Sequence, residues 1–304
     1  MDIGRIDPAL RADTERAPRL NLENRVVLRL LGTLSGLARG ARVDGVRRDV
    51  VRAGAVRLRV FVPENPSGAG LVWIHGGGLV MGAAAVDDRF CGETARETGV
   101  TVVSVDYRLA PRHPFPAAID DAHAGWVWLR DNAGRLGLDP ARLAVGGQSA
   151  GGGLAACLAQ RVHDEGEDVA AQWLFCPMLD DRTAVDRSRD AEDHFVWNNR
   201  SNLVGWTSYL GDRIGSDALP PYAAAARRTE LADLPPTWLY VSDAELFHDE
   251  AVDYAKRLEA ADVPVELDLV PGAPHGFEAW AAGNVRSQEL FARARAWLRE
   301  RLGT

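Results

Sequence analysis

Six short runs rich in apolar residues, at 71–74, 100–105, 143–145, 169–175, 237–241 and 265–270, recur along the chain with helical stretches between most of them. Strands that alternate with helices pair in parallel, and the helices cover both faces of the sheet they form. Ahead of them, residues 49–51 and 55–62 bracket Arg52-Ala53-Gly54 and read as a hairpin that adds antiparallel edge strands. Right-handed crossovers bring the turns that follow successive strands to one edge of the sheet. The expected fold class is α/β, with a mostly parallel central sheet, helices on both faces and antiparallel N-terminal edge strands.

Two of these strand ends carry chemistry. Gly147-Gln148-Ser149-Ala150-Gly151 joins the run 143–145 to the helix-forming stretch 154–159, which puts a G-x-S-x-G at a strand-to-helix turn. A serine there must adopt a cramped backbone, and Gly147 and Gly151 leave room where a Cβ would strike the crossing strand and helix. Ser149 is therefore the candidate nucleophile. After the run 71–74 comes His75-Gly76-Gly77-Gly78. Attack on an ester carbonyl builds negative charge on its oxygen, which bare backbone N–H groups can meet. Gly77, Gly78 and Ala150 are the candidate oxyanion donors, while His75 and Gly76 shape the loop.

The base must come from seven histidines. His75 belongs to the glycine loop, His123 and His163 to helical patterns, His113 to a proline-rich loop and His194 to an irregular stretch; His248 opens a helix. His275, in Pro274-His275-Gly276-Phe277, follows the last strand, from where an imidazole can reach across the sheet edge. A carboxylate must then hold the imidazole in the tautomer that accepts the serine proton. In the order Ser, Asp/Glu, His it lies just after the run 237–241, where Asp243 and Glu245 both qualify on spacing. Asp249 and Glu250 read as first-turn helix residues favoured by the helix dipole.

Taken together these residues resemble the hormone-sensitive-lipase-like carboxylesterases of the α/β-hydrolase superfamily. The resemblance extends through Asp106-Tyr107-Arg108-Leu109-Ala110-Pro111, His113-Pro114-Phe115-Pro116, Pro177-Met178-Leu179-Asp180-Asp181-Arg182 and Pro274-His275-Gly276-Phe277, and runs from about residue 70 to the C-terminus. It implies an α/β-hydrolase fold with a helical cap, and a serine esterase acting on short- to medium-chain acyl esters through an acyl-enzyme. The family's acid motif, Asp-x-Leu/Phe-x-Asp-Glu, overlays Glu245-Leu246-Phe247-His248-Asp249-Glu250, which makes Glu245 the triad acid and Asp243 the runner-up. Gln148 is a departure, standing where the family usually has Asp or Thr. Asp106 and Arg108 read as ties between a loop and its neighbours.

Two stretches break the strand–helix alternation: residues 1–46, with a helical pattern at 22–37, and the polar and aromatic stretch 180–219. They are expected to form a cap over a catalytic domain of residues 47–304, with Phe195, Trp197 and Trp206 bounding an acyl or alcohol pocket or packing the cap itself. A formal charge of −8, with arginines dispersed among acids, argues against a nucleic-acid partner. Cys91, Cys157 and Cys176 are widely spaced with no C-x-x-C pair, so neither a zinc site nor a disulfide framework is suggested, and they read as small buried residues. No cofactor or metal is expected. The N-terminus lacks a signal-peptide core and no run of about 18 apolar residues occurs, so the expectation is a cytoplasmic protein without a membrane span, with a homodimer allowed. Three rival readings are an amidase or deacetylase with the same triad, a non-catalytic small-molecule receptor on the same fold, and a nicotinamide enzyme. The last rests on Gly151-Gly152-Gly153-Leu154-Ala155-Ala156, whose glycines start inside a helix and not at a strand end.

Overall fold

One eight-stranded sheet organises the computed structural model, which describes residues 1–17, 22–23 and 40–304. Its strands are β1 (Val46–Ala53), β2 (Val56–Pro63), β3 (Gly70–Ile74), β4 (Thr101–Asp106), β5 (Leu143–Gln148), β6 (Ala171–Phe175), β7 (Thr237–Val241) and β8 (Val265–Leu269). The spatial order is β1-β2-β4-β3-β5-β6-β7-β8. β1 and β2 form the hairpin around Gly54, β2 lies antiparallel to β4, and every later pairing is parallel. The fold class is α/β, with an α/β-hydrolase sheet.

The helices α1 (Arg11–Arg16), α2 (Asp88–Thr98), α3 (Ala117–Asp131), α4 (Ala133–Leu136), α5 (Ala150–Asp164), α6 (Asp181–Val185), α7 (Asn199–Leu210), α8 (His248–Ala260), α9 (Phe277–Trp280) and α10 (Val285–Leu302) follow in chain order. Val72 and Ile74 of β3 point into a core shared with Ile119 and Trp126 of α3, Leu154 and Leu158 of α5, and Tyr254 and Leu258 of α8. Leu71 and Trp73, one residue out of phase, point to the other face, where Cys91 and Ala95 of α2 and Leu290, Phe291 and Leu298 of α10 cover them. Side chains of a strand alternate between faces. Burial of both faces is what makes the central strands predominantly apolar.

The chain leaves β3 toward β4 and later returns to place β5 on the opposite side of β3. This reversal opens a crevice beyond the carboxyl ends of β3 and β5, where an open α/β sheet binds its ligands. His75-Gly76-Gly77-Gly78 and Ser149 lie at those two ends.

Residues 180–219 hold α6, α7 and short 3₁₀ turns between β6 and β7. Buried Asp181 anchors their base by accepting hydrogen bonds from Arg227 Nε (2.7 Å) and Gly215 N (2.6 Å). Of residues 1–46, the first seventeen brace the loop after β8. Asp7 N donates to Gly272 O (2.9 Å) and Asn284 Nδ2 to Ala9 O (2.7 Å), while Arg5 pairs with Glu192. The helical pattern at 22–37 lies almost wholly outside the described residues; Leu22 is buried. Among the described residues no helix is long and apolar enough to cross a membrane.

Candidate active site

The end of β5 forces a strained turn. Ser149 has φ 56° and ψ −120°, a region nearly closed to residues with a Cβ, and α5 begins at the next residue. Its backbone is pinned on both sides: Ser149 N donates to Phe175 O (2.8 Å), and Ser149 O accepts from Met178 N and Gly153 N (both 3.0 Å). A Cβ on Gly147 would lie 2.8 Å from Ile74 O, and one on Gly151 would overlap the Ile74 and His75 carbonyls. The flanking glycines therefore let α5 start directly against the end of β3. Gly152 and Gly153 likewise press on Pro177 and Met178 from inside the first turn of α5. The glycine run is used up by contact of α5 with the end of β3 and the segment after β6, and the dinucleotide reading has no loop to act through.

Beside this turn, the end of β3 runs into the glycine loop. His75 is 2 % exposed and stacks on Tyr107 with ring centroids 4.2 Å apart. Its Nδ1 is 2.7 Å from Gly76 O, so this nitrogen carries the proton, and burial lowers the imidazole pKa against the pull of Asp87. A neutral, buried ring of this kind shapes the loop. Gly77 and Gly78 have φ +121° and +60°. Gly77 O closes the turn by accepting from Val80 N (3.1 Å) and Met81 N (3.0 Å). Trp197 lies directly against Gly78, and α7 approaches it so closely that a Cβ on Gly205 would sit 2.7 Å from Gly78 O.

The histidine and the acid arrive from the other side. His275 Nε2 is 2.8 Å from Ser149 Oγ, and His275 Nδ1 is hydrogen-bonded to Glu245 Oε2. Ser149, His275 and Glu245 are 6 %, 5 % and 3 % exposed, so the chain of bonds is sheltered from water. Phe247 meets the imidazole edge-on at 5.1 Å and Trp280 Nε1 donates to His275 O (3.0 Å), which fixes ring and backbone. Asp243 is exposed and accepts from Gly272 N (2.7 Å), bracing the histidine loop from outside. Of the aromatic residues in the 180–219 segment, Trp197 borders the site, its ring 6.5 Å from that of His275. Trp206 is buried beside Tyr209 in the core of the α3–α5–α8 face, and Phe195 packs against the opposite cluster. Asp106 and Arg108 tie their loop to Arg57 and Asp121.

Several participants lack a sequence signature. Gln148 Nε2 donates to Glu278 Oε1 (2.8 Å) and the Tyr240 hydroxyl donates to Glu278 Oε2, all beneath the histidine loop. Glu250 sits in the first turn of α8 as its position suggests, yet it is buried and accepts from Leu179 N (2.7 Å) and the Thr183 hydroxyl. Burial pushes its carboxyl up to about 8. Among the described residues, the one cluster of His, Cys and carboxylate atoms close enough to share a metal is Cys176, Glu245 and His275. Two of these are already engaged with Ser149 or each other, and burial holds the Cys176 thiol far above its ordinary range.

Comparison with known proteins gives the family of the fold. Residues 71–279 match the alpha/beta hydrolase fold family. Esterase LipI of Mycobacterium tuberculosis is 34 % identical over 235 residues, which cover 75 % of this chain and 73 % of that protein. The ethyl acetate hydrolase of Pseudomonas putida is 34 % identical over 229 residues, covering 72 % of this chain and 70 % of the relative. The solved structure of a bacterial heroin esterase superposes with a TM-score of 0.90 at 36 % identity, over 99 % of each chain. With esterases matching over most of the sequence and nearly all of the fold, the chain belongs to the α/β-hydrolase family, among its hormone-sensitive-lipase-like carboxylesterases.

Proposed function

We propose that Ser149, His275 and Glu245 are the catalytic triad of this carboxylesterase, with Gly77, Gly78 and Ala150 as oxyanion donors. The observation that carries the assignment is the unbroken hydrogen-bonded chain from Ser149 Oγ through both nitrogens of His275 to Glu245, at the mouth of the β3–β5 crevice. Ser149 Oγ attacks the ester carbonyl as His275 Nε2 takes its proton, and Glu245 steadies the imidazolium through Nδ1. The oxygen that gains charge faces the N–H groups of the glycine loop and the start of α5. His275 then returns the proton to the leaving alcohol, and water activated by the same imidazole releases the acid.

The substrates are small esters with short to medium acyl chains, a reading supported by the relatives described as esterases, one of them an ethyl acetate hydrolase. Residues 180–219, with part of 1–46, act as the cap, and Trp197 bounds the bound ester. The triad comes from one chain, so a homodimer would hold two complete sites. Three free, buried cysteines suit the reducing cytoplasm. The test is a p-nitrophenyl ester series of rising acyl length, with a phosphonate probe to label the nucleophile. Ser149→Ala abolishes both hydrolysis and labelling; a variant that still turns over the acetate ester at the parent rate would refute the assignment.

A further inference from the structure

We infer that Glu278 is a positioning residue for His275: its carboxyl group, held by Tyr240 and Gln148, ties the histidine loop to the nucleophile turn and, when ionised, favours the imidazolium formed during acylation. The inference rests on the Ser149–His275 mechanism above. Glu278 is 2 % exposed and lies three residues after His275, on α9. Its two oxygens are bonded to different strand ends. Gln148, which donates to Oε1 at 2.8 Å, immediately precedes Ser149 at the end of β5. Tyr240, which donates to Oε2, stands near the end of β7, five residues before Glu245. A single carboxyl thus joins the three segments that deliver nucleophile, acid and base.

Such a group is costly to bury unless it is used. A carboxylate in an apolar surrounding is penalised by desolvation, and burial does push Glu278 upward; the hydrogen bonds from Tyr240 and Gln148 and the charge of His275 act against that push. The other titratable groups around it are accounted for. Tyr240 and Cys176 are held neutral by burial, and Glu245 is engaged with His275 Nδ1. Across the cavity lined by Gln148 and Glu278 stand Asp87, which accepts from Trp73 Nε1 (2.7 Å), and Arg89, which is paired with Glu93. Among the described residues no lysine or arginine pairs with Glu278. The positive charge nearest in function is the one that appears on His275 as Ser149 attacks.

The measurement is kcat and KM for p-nitrophenyl acetate as a function of pH. Ionisation of Glu278 adds a second rising step to the parent profile, beyond that of the base itself. Glu278→Gln preserves shape, its oxygen accepting from Gln148 and its N–H donating to a turned Tyr240 hydroxyl, but cannot ionise, so the second step disappears and plateau kcat falls about tenfold with KM unchanged. Tyr240→Phe and Gln148→Leu each withdraw a donor from the ionised form, so the step moves to higher pH. A purely structural role lowers Tm and scales the rate equally at every pH; a Glu278→Gln profile of parental shape would overturn the inference. If that variant does not fold, Tyr240→Phe decides alone, and a step that stays in place overturns it. Phosphonate labelling run in parallel separates the two claims, because failure to label Ser149 in the parent removes the mechanism itself, whereas normal labelling with an unchanged profile removes only the role of Glu278.

Discussion

Replacing Glu245 by glutamine keeps the length and volume of the side chain and removes only its charge. Oε2 is hydrogen-bonded to His275 Nδ1, while Oε1 has no partner among the described residues, so the bond to His275 is the one this carboxylate makes there. An amide there presents its N–H to Nδ1 as readily as its carbonyl. When it does, the ring proton moves to Nε2 and the imidazole can no longer accept from Ser149. Loss of the carboxylate in a serine triad lowers kcat by about 10⁴-fold. At 1.36 kcal/mol per decade this is roughly 5.4 kcal/mol of transition-state stabilisation. Asp243→Asn is the control. Its carboxylate is exposed and accepts one bond, from Gly272 N at 2.7 Å, and the asparagine oxygen can still accept it. A loss of about 1 kcal/mol at most is expected, or less than about fivefold in kcat. Both variants are assayed for kcat on p-nitrophenyl acetate, with Tm measured to confirm folding. A crippled Asp243→Asn beside a Glu245→Gln within tenfold of the parent would refute the assignment of the acid.

Two further outcomes follow from the geometry. Gly78→Ala forces a Cβ into the Trp197 ring at φ +60° and shifts an oxyanion donor, so kcat falls by about 10²–10³-fold, and Gly78→Ala/Trp197→Ala recovers part of the loss by removing the overlap; a single variant with kcat within threefold of the parent contradicts the donor role. Glu250, pushed up to about 8 by burial, keeps its proton in the folded state over a range where the unfolded chain has lost it. The folded state therefore binds more protons between about pH 4.5 and 8, and stability falls as pH rises through that window, by up to about 1.4 kcal/mol per pH unit. Glu250→Gln removes this slope. Urea unfolding midpoints at both ends of the window test it, and parallel pH dependences in parent and variant would contradict the burial effect.

The sheet is legible because its strands are buried on both faces: runs as apolar as 71–74 and 238–241 could hardly arise for another reason. The nucleophile turn and glycine loop were equally readable, since Gly147, Gly151, Gly77 and Gly78 are demanded by close approach and positive φ, which leave a mark in residue type. Glu245 could not be separated from Asp243 by spacing, because both follow β7 and only the direction of the chain after Val241 decides which carboxylate points inward. The Gln148–Glu278–Tyr240 contacts left no mark at all. They join residues 130 and 38 positions apart through side chains that would be unremarkable on a surface. Aromatic content announced a packed segment at 180–219, yet nothing in it distinguishes Trp197, selected by the bare backbone of Gly78, from Trp206, which fills the core.

The contact of Gly205 and Trp197 with Gly78 also bears on how such an enzyme can change. The segment between β6 and β7 looks like an accessory that could be exchanged to admit other esters, but two of its residues rest on the loop proposed to cradle the developing charge. Any substitute must bring a small residue and a flat ring to those same two places. Selectivity and rate are therefore mechanically joined in this protein, and remodelling the roof without respecting those two points of support would alter the reaction beneath it.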